Sequence, residues 1–138
     1  MKTPTSEEKS WTRTSNIIMV DDEPDVNITI KMALEENGDF KVDTFNEAES
    51  ALIAFKSGQY DLAILDIRMP GTNGFELCRK LREIDEKLKI CFLTAAELTY
   101  LQDMDSDITD DLRTDCFVVK PVNTTDLITR LKVILRQK

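Results

Sequence analysis

Five short apolar runs punctuate the chain: Ile17-Ile18-Met19-Val20, Phe40 to Thr44, Leu62-Ala63-Ile64-Leu65, Ile90 to Leu93, and Cys116-Phe117-Val118-Val119. Each is four or five residues long, too short for a core helix, and all but Phe40 to Thr44, where Lys41 and Asp43 interrupt the apolar residues, lack the polar alternation of a half-solvated strand. Strands apolar on both faces belong in a sheet covered by helices on both sides, and such sheets are parallel. The segments between the runs agree. After Pro24 the positions Val26, Ile30, Ala33 and Leu34 form a helical stripe that stops at Asn37-Gly38. Asn46 with Glu49 three residues later has capping-box character, and Ala48, Ala51, Leu52 and Phe55 supply a second stripe that ends at Lys56-Ser57-Gly58. Phe75, Cys78, Leu81 and Arg82 suit a third helix beyond the loop containing Pro70, Gly71 and Gly74. Asn123 or Thr124 can cap a last helix with stripe Leu127, Ile128, Leu131, Ile134 and Leu135. The pattern predicts an α/β fold, a doubly wound sheet of five strands with five helices, the fourth of them irregular.

The chain has 138 residues and a formal charge of −8, which suits one domain and argues against a nucleic-acid or anionic-membrane binder, since either needs a basic face. It contains no histidine, which removes Ser-His-Asp and Cys-His nucleophiles, zinc sites that need imidazole, and a phosphohistidine of its own. Cys78, Cys91 and Cys116 lie in apolar surroundings without C-x-x-C spacing, and are expected as buried thiols of a reducing, cytoplasmic setting. No run approaches the roughly 18 residues of a membrane span. Residues 1–15, rich in Thr, Ser, Lys and Glu, are expected as a flexible arm ahead of a domain spanning residues 16–138.

In open α/β sheets, ligands bind beyond the carboxyl ends of the strands. The first run ends at Asp21-Asp22, the third at Asp66, the fourth at Thr94 and the fifth at Lys120, so these five residues are predicted to face one crevice. Polar residues at strand ends are unremarkable singly, but this set has a chemical logic. Three carboxylates in close quarters repel unless a cation sits among them, and a hard divalent ion such as Mg²⁺ takes oxygen ligands. An aspartate can then attack phosphorus, while an ammonium and a hydroxyl offer donors to the oxygens of a transferring phosphoryl group.

Four segments carry a family likeness: Ile17 to Pro24 (IIMVDDEP), Leu65 to Gly74 (LDIRMPGTNG), Phe92 to Ala96 (FLTAA) and Phe117 to Pro121 (FVVKP). In this order and spacing the chain resembles the receiver domains of two-component response regulators, the stand-alone chemotaxis-regulator type included. The resemblance implies a flavodoxin-like strand order 2-1-3-4-5. It also implies that Asp66 is the phosphoacceptor, that Asp22, Asp66 and the Arg68 backbone carbonyl hold Mg²⁺, and that Asp21 binds the ion mainly through water. Thr94 would be the hydroxyl that moves toward the phosphoryl group and Lys120 the cation that contacts it. Phe117 would be the aromatic that rotates on activation, and Pro121 would follow a cis bond. Arg68 and Ala96 occupy positions that tune the lifetime of the acyl phosphate. The phosphoryl donor would be a sensor histidine kinase or a phosphotransfer protein.

Thr72 departs from the Met or Leu usual at its position, and residues 97–115 are longer than usual, with Leu112-Arg113-Thr114-Asp115 in place of a Gly-Ala pair. That stretch carries −6, while residues 21–25 carry −4 and everything else +2, so a downstream protein partner with a basic surface is expected. The acids from Asp103 to Asp111 superficially resemble a calcium loop, but Ile108 stands at the turn glycine and Thr114 at the bidentate glutamate. A haloacid-dehalogenase-like phosphatase would need a polar residue where Pro24 stands, and a flavin binder would need a hydroxyl- and glycine-rich loop after the first run. The expectation is a single-domain response regulator, not an enzyme in the usual sense. The alternative is a receiver-like adaptor that binds partners without phosphorylation, and a more distant one is a Mg²⁺-dependent aspartyl phosphatase.

Overall fold

The computed structural model describes residues 14–36, 38–95 and 116–136. Residues 1–13 of the expected N-terminal arm (1–15) and the irregular fourth helix, with Ala96 and the acidic stretch 97–115, lie outside the described residues, while Ser15, expected in the arm, is the first residue of a strand. Seven strands and four helices are described, in the order β1 (Ser15–Val20), α1 (Pro24–Glu35), β2 (Phe40–Phe45), α2 (Ala48–Ala54), β3 (Leu62–Asp66), β4 (Arg68–Met69), β5 (Thr72–Asn73), α3 (Gly74–Ile84), β6 (Lys89–Thr94), β7 (Cys116–Val119) and α4 (Thr124–Arg136). Five of the strands form one parallel sheet ordered β2-β1-β3-β6-β7, and β4 pairs antiparallel with β5 in a separate ribbon. Numbered among the sheet strands alone, the order is the expected 2-1-3-4-5.

The apolar runs of β1, β3 and β6 are buried on both faces, which is why they show no polar alternation, whereas the edge strands β2 and β7 are partly exposed. Ile18, Val20, Ala63, Leu65 and Phe92 pack on one side with Ala51 of α2 and with Leu77, Cys78 and Leu81 of α3. Ile17, Met19, Ile64, Cys91 and Leu93 face the other side with Ile30 and Leu34 of α1 and with Leu127, Leu131 and Ile134 of α4. Successive residues of β1, β3 and β6 thus alternate between two cores, each worth roughly 1.5–3 kcal/mol per fully buried aliphatic side chain.

Helix ends follow local chemistry with one exception. Pro24 opens α1, where its missing N–H costs nothing. The Asn73 side chain accepts the Glu76 N–H at 2.9 Å to start α3, and Asn123 accepts the Asp126 N–H at 2.9 Å to start α4. The exception is Asn46: α2 begins at Ala48 after Glu47, with no side-chain cap. The Asn46 carboxamide oxygen accepts a hydrogen bond from Asn27 instead, and so is withdrawn from the helix end.

The expectation of three free thiols is corrected at two of them. Cys91 and Cys116 are register partners on β6 and β7, with Cα atoms 4.6 Å apart, and they form a disulfide. Strand pairing turns both side chains to the same face, a proximity that spacing along the sequence does not reveal. Cys78 is buried and takes no part in the disulfide.

Candidate functional site

The carboxyl ends of β1, β3, β6 and β7 converge on one edge of the sheet, and they carry four of the predicted residues to a common point. Asp21, directly after β1, is fully buried; its N–H donates to the Phe45 carbonyl at 3.1 Å and its Oδ1 accepts the Glu23 N–H at 2.8 Å. Asp66, the last residue of β3, is 4% exposed, and its Oδ1 accepts the Arg68 N–H at 3.3 Å. Asp22 and Glu23 complete a cluster in which Asp21, Asp22, Glu23 and Asp66 each offer a carboxylate oxygen within 4.8 Å of the others.

Lys120 follows β7, held by its own N–H donating to the Thr94 carbonyl at 2.7 Å, and the Lys120–Pro121 bond is cis. Its Nζ lies 2.9 Å from Asp21 Oδ2, 3.0 Å from Glu23 Oε1 and 3.6 Å from Asp66 Oδ2. Thr94 is buried at the end of β6, opposite Val119. Phe117 stands one layer away: it is half-buried, its ring stacks on Phe92 at 5.5 Å, and its carbonyl accepts a hydrogen bond from Arg130. The Arg68 side chain is exposed on β4, while its N–H is engaged by Asp66.

Burial pushes the Asp66 carboxyl up to about 7, the Asp21 charge adds to the rise, and the Lys120 ammonium opposes it. Burial likewise raises Asp21, against the hydrogen bond from Lys120. For Lys120 burial favours the neutral amine, but hydrogen bonds to Asp21 and Glu23 and the charges of Asp21 and Asp66 outweigh it and hold the ammonium protonated. Three of the four acids, Asp21, Glu23 and Asp66, share the Lys120 ammonium, and every potential ligand is a hard oxygen. That donor set and its uncompensated negative charge fit a divalent cation of the Mg²⁺ or Ca²⁺ type.

Three further residues shape the site. Glu23 contributes a carboxylate to the cluster and an ion pair to Lys120. Gly74 lets the loop after β3 close over the site: a Cβ there would stand 2.5 Å from the Asp66 carbonyl oxygen, and the Gly74 N–H donates to the Ile67 carbonyl at 2.8 Å. Asn27 sits buried on α1 behind Asp21. The sequence held a trace of Asn27, a polar residue three positions before Ile30 and seven before Leu34 on the buried stripe, and no trace of the close approach at Gly74.

Residues 17–132 match the family model of the response regulator receiver domain. The chain belongs to that family. Among curated proteins, this receiver domain is 38% identical over 125 residues to the phosphate regulon transcriptional regulatory protein PhoB of Rhizobium meliloti, covering 88% of this chain and 52% of that protein. It spans about half the length of the curated relatives it matches. Among solved structures it is similar to the response regulator TrrA of Thermotoga maritima in complex with Mg²⁺-BeF, at 38% identity and TM-score 0.72, covering 87% of this chain and 98% of that one. A second structure holds TrrA in complex with the histidine kinase ThkA, at 40% identity and TM-score 0.71, covering 88% and 98%. No helix among the described residues is long and apolar enough to cross a membrane.

Proposed function

We propose that this receiver domain accepts a phosphoryl group on Asp66 from a phosphohistidine of a histidine kinase or phosphotransfer protein, in a Mg²⁺-dependent transfer, and that the acyl phosphate shifts a two-state equilibrium read by a downstream protein. The observation that carries this reading is Asp66 itself, a buried carboxylate at a strand end with three other acids and one lysine gathered around it. Since the 138 residues contain no histidine, the donor imidazole lies outside this sequence. TrrA, solved with Mg²⁺-BeF and with its histidine kinase, supports both the metal and the class of donor.

In the transfer, an ionised Asp66 oxygen forms the new P–O bond as the P–N bond breaks, and the electron pair leaves with the imidazole nitrogen, which takes a proton. Asp22, Asp66 and the Arg68 carbonyl would hold the ion, with Asp21 acting mainly through water. Bound there, Mg²⁺ supplies the positive charge that lets the acids stay ionised beside an incoming phosphoryl group. The Lys120 ammonium leaves its ion pairs with Asp21 and Glu23 for the phosphoryl oxygens, and the Thr94 hydroxyl donates to another oxygen. Phe117, stacked on Phe92 directly before Leu93 and Thr94, follows the hydroxyl inward. Arg68 and Ala96 are the positions proposed to tune the lifetime of the acyl phosphate.

The test is incubation of wild type and Asp66→Asn with acetyl phosphate, with and without Mg²⁺, followed by intact-mass measurement. A gain of one phosphoryl group on wild type alone, and only with the metal, is expected. No gain from acetyl phosphate or from a phosphorylated kinase would leave the unphosphorylated adaptor as the better reading.

A further inference from the structure

Past Val20 the register of β1 with both β2 and β3 ends, so the peptide joining Asp21 to Asp22 lies beyond the ladder that fixes the strand. Its geometry nevertheless decides where two of the cluster's carboxylates point. The Asn27 side chain, 2% exposed on α1, meets that peptide. Its Nδ2 donates to the Asp21 carbonyl at 2.8 Å, to Asn46 Oδ1 at 2.9 Å and, more weakly, to the Phe45 carbonyl at 3.3 Å. The Phe45 carbonyl also accepts the Asp21 N–H. One carboxamide thus grips the backbone on both sides of Asp21 and ties it to the end of β2 and to the loop that follows.

Three acceptors face the amide nitrogen, which settles the orientation of the carboxamide, and the opposite oxygen is left buried without a hydrogen-bond partner. A buried unpaired acceptor and an asparagine inside a helix both cost stability, and an aliphatic side chain would join Ile30 and Leu34 on that stripe without either cost. Packing gives no reason to keep the amide; holding the acidic pair does. We infer that Asn27 is a positioning residue that aims Asp21 and Asp22 into the cation site. This inference rests on the metal-dependent reading above. Groups that orient metal ligands from behind typically contribute ten- to a hundredfold to metal affinity.

The experiment is calorimetric titration of the full chain with MgCl₂ in the absence of any phosphodonor, for wild type, Asn27→Leu and Leu34→Ala, with urea unfolding of each. Asn27→Leu is expected to weaken Mg²⁺ binding roughly tenfold or more, while Leu34→Ala, a cavity on the same helix, lowers the urea midpoint and leaves affinity within about twofold. If leucine does not fold at this position, Asn27→Ser, whose hydroxyl is too short to reach the three acceptors, is expected to show the same loss. Wild-type affinity in the Asn27 variants, or an equal loss in Leu34→Ala, overturns the positioning role and leaves the proposed function standing. Wild type that binds Mg²⁺ but gains no phosphoryl group from acetyl phosphate overturns the phosphoacceptor reading alone, with Asn27 then judged on the affinity ratio. Wild type that binds no Mg²⁺ overturns both.

Discussion

Replacing Asp66 by Asn is expected to stabilise the metal-free fold at neutral and alkaline pH while abolishing phosphoryl acceptance. Burial, with the Asp21 charge behind it, raises this carboxyl from 3.8 to about 7 in the native state. Between those two values the native chain keeps a proton that the unfolded chain has released, so stability falls as pH rises from about 4 to 7 and is level above. At about 1.4 kcal/mol per pKa unit the ceiling on that loss is about 4 kcal/mol. Asn keeps the shape and can still accept the Arg68 N–H, but it gives up the 3.6 Å interaction with Lys120, which reduces the net gain. We expect about 2 kcal/mol at pH 8, a rise in Tm on the order of 6 °C for a domain of this size. The assay is thermal unfolding by circular dichroism from pH 4 to 8, in chelator and in excess Mg²⁺. The difference between variant and wild type should be near zero at pH 4, grow to pH 7 and shrink when Mg²⁺ stabilises the wild type by binding only the native state. A variant no more stable than wild type at pH 8 in chelator, or a gap that does not grow with pH, refutes the claim that burial and repulsion at Asp66 are held in check only by a cation.

Lys120→Met should reduce the rate of phosphoryl acceptance from acetyl phosphate by about two orders of magnitude at saturating Mg²⁺, the usual effect of removing one charged donor from a developing anion; stopped-flow or quenched-mass kinetics measure it, and an unchanged rate excludes Lys120 from the transfer. Gly74→Ala places a methyl 2.5 Å from the Asp66 carbonyl oxygen, so backbone must move; a loss of about 2 kcal/mol in urea unfolding is expected, and a neutral result shows that the loop after β3 yields freely. The Cys91–Cys116 disulfide predicts an intact mass lighter by two hydrogens before reduction than after. Reduction should lower stability by about 2–4 kcal/mol through the 25-residue separation it closes, and identical masses would show free thiols.

Where burial is total the sequence is legible, because a strand covered on both faces admits only apolar residues: β1, β3 and β6 were marked by their runs to within a residue or two. The strand-end acids, Thr94 and Lys120 were legible for the opposite reason, polar side chains set where an apolar run stops. What stayed hidden depends on contacts between distant segments. Asn46 has the spacing of a helix cap, yet a carboxamide 19 residues earlier takes its oxygen. Cys91 and Cys116 become neighbours only through strand register. Gly74 reads as an ordinary loop glycine until the Asp66 carbonyl is seen against it. The acidic stretch 97–115, atypical in length and charge, lies outside the described residues.

The arrangement of Lys120 links these observations to the proposed switch. Its ammonium lies closer to Asp21 and Glu23 than to Asp66, at 2.9 and 3.0 Å against 3.6 Å. A single positive charge therefore serves Asp21 and Glu23 before Asp66. Burial and the Asp21 charge, which Lys120 offsets only in part, raise the Asp66 carboxyl to about 7, so near neutral pH it is a weak nucleophile. A divalent ion bound by the acids would release the lysine from Asp21 and Glu23 and lower the Asp66 carboxyl at the same time, since both effects follow from supplying the missing charge. Nucleophile and phosphoryl-contacting cation would thus become available together, and neither without the metal. The cost is a cluster of acids that destabilises the empty fold, offset in part by Lys120. Replacing these acids should thus trade reactivity for stability, as expected where a functional site is kept under electrostatic strain.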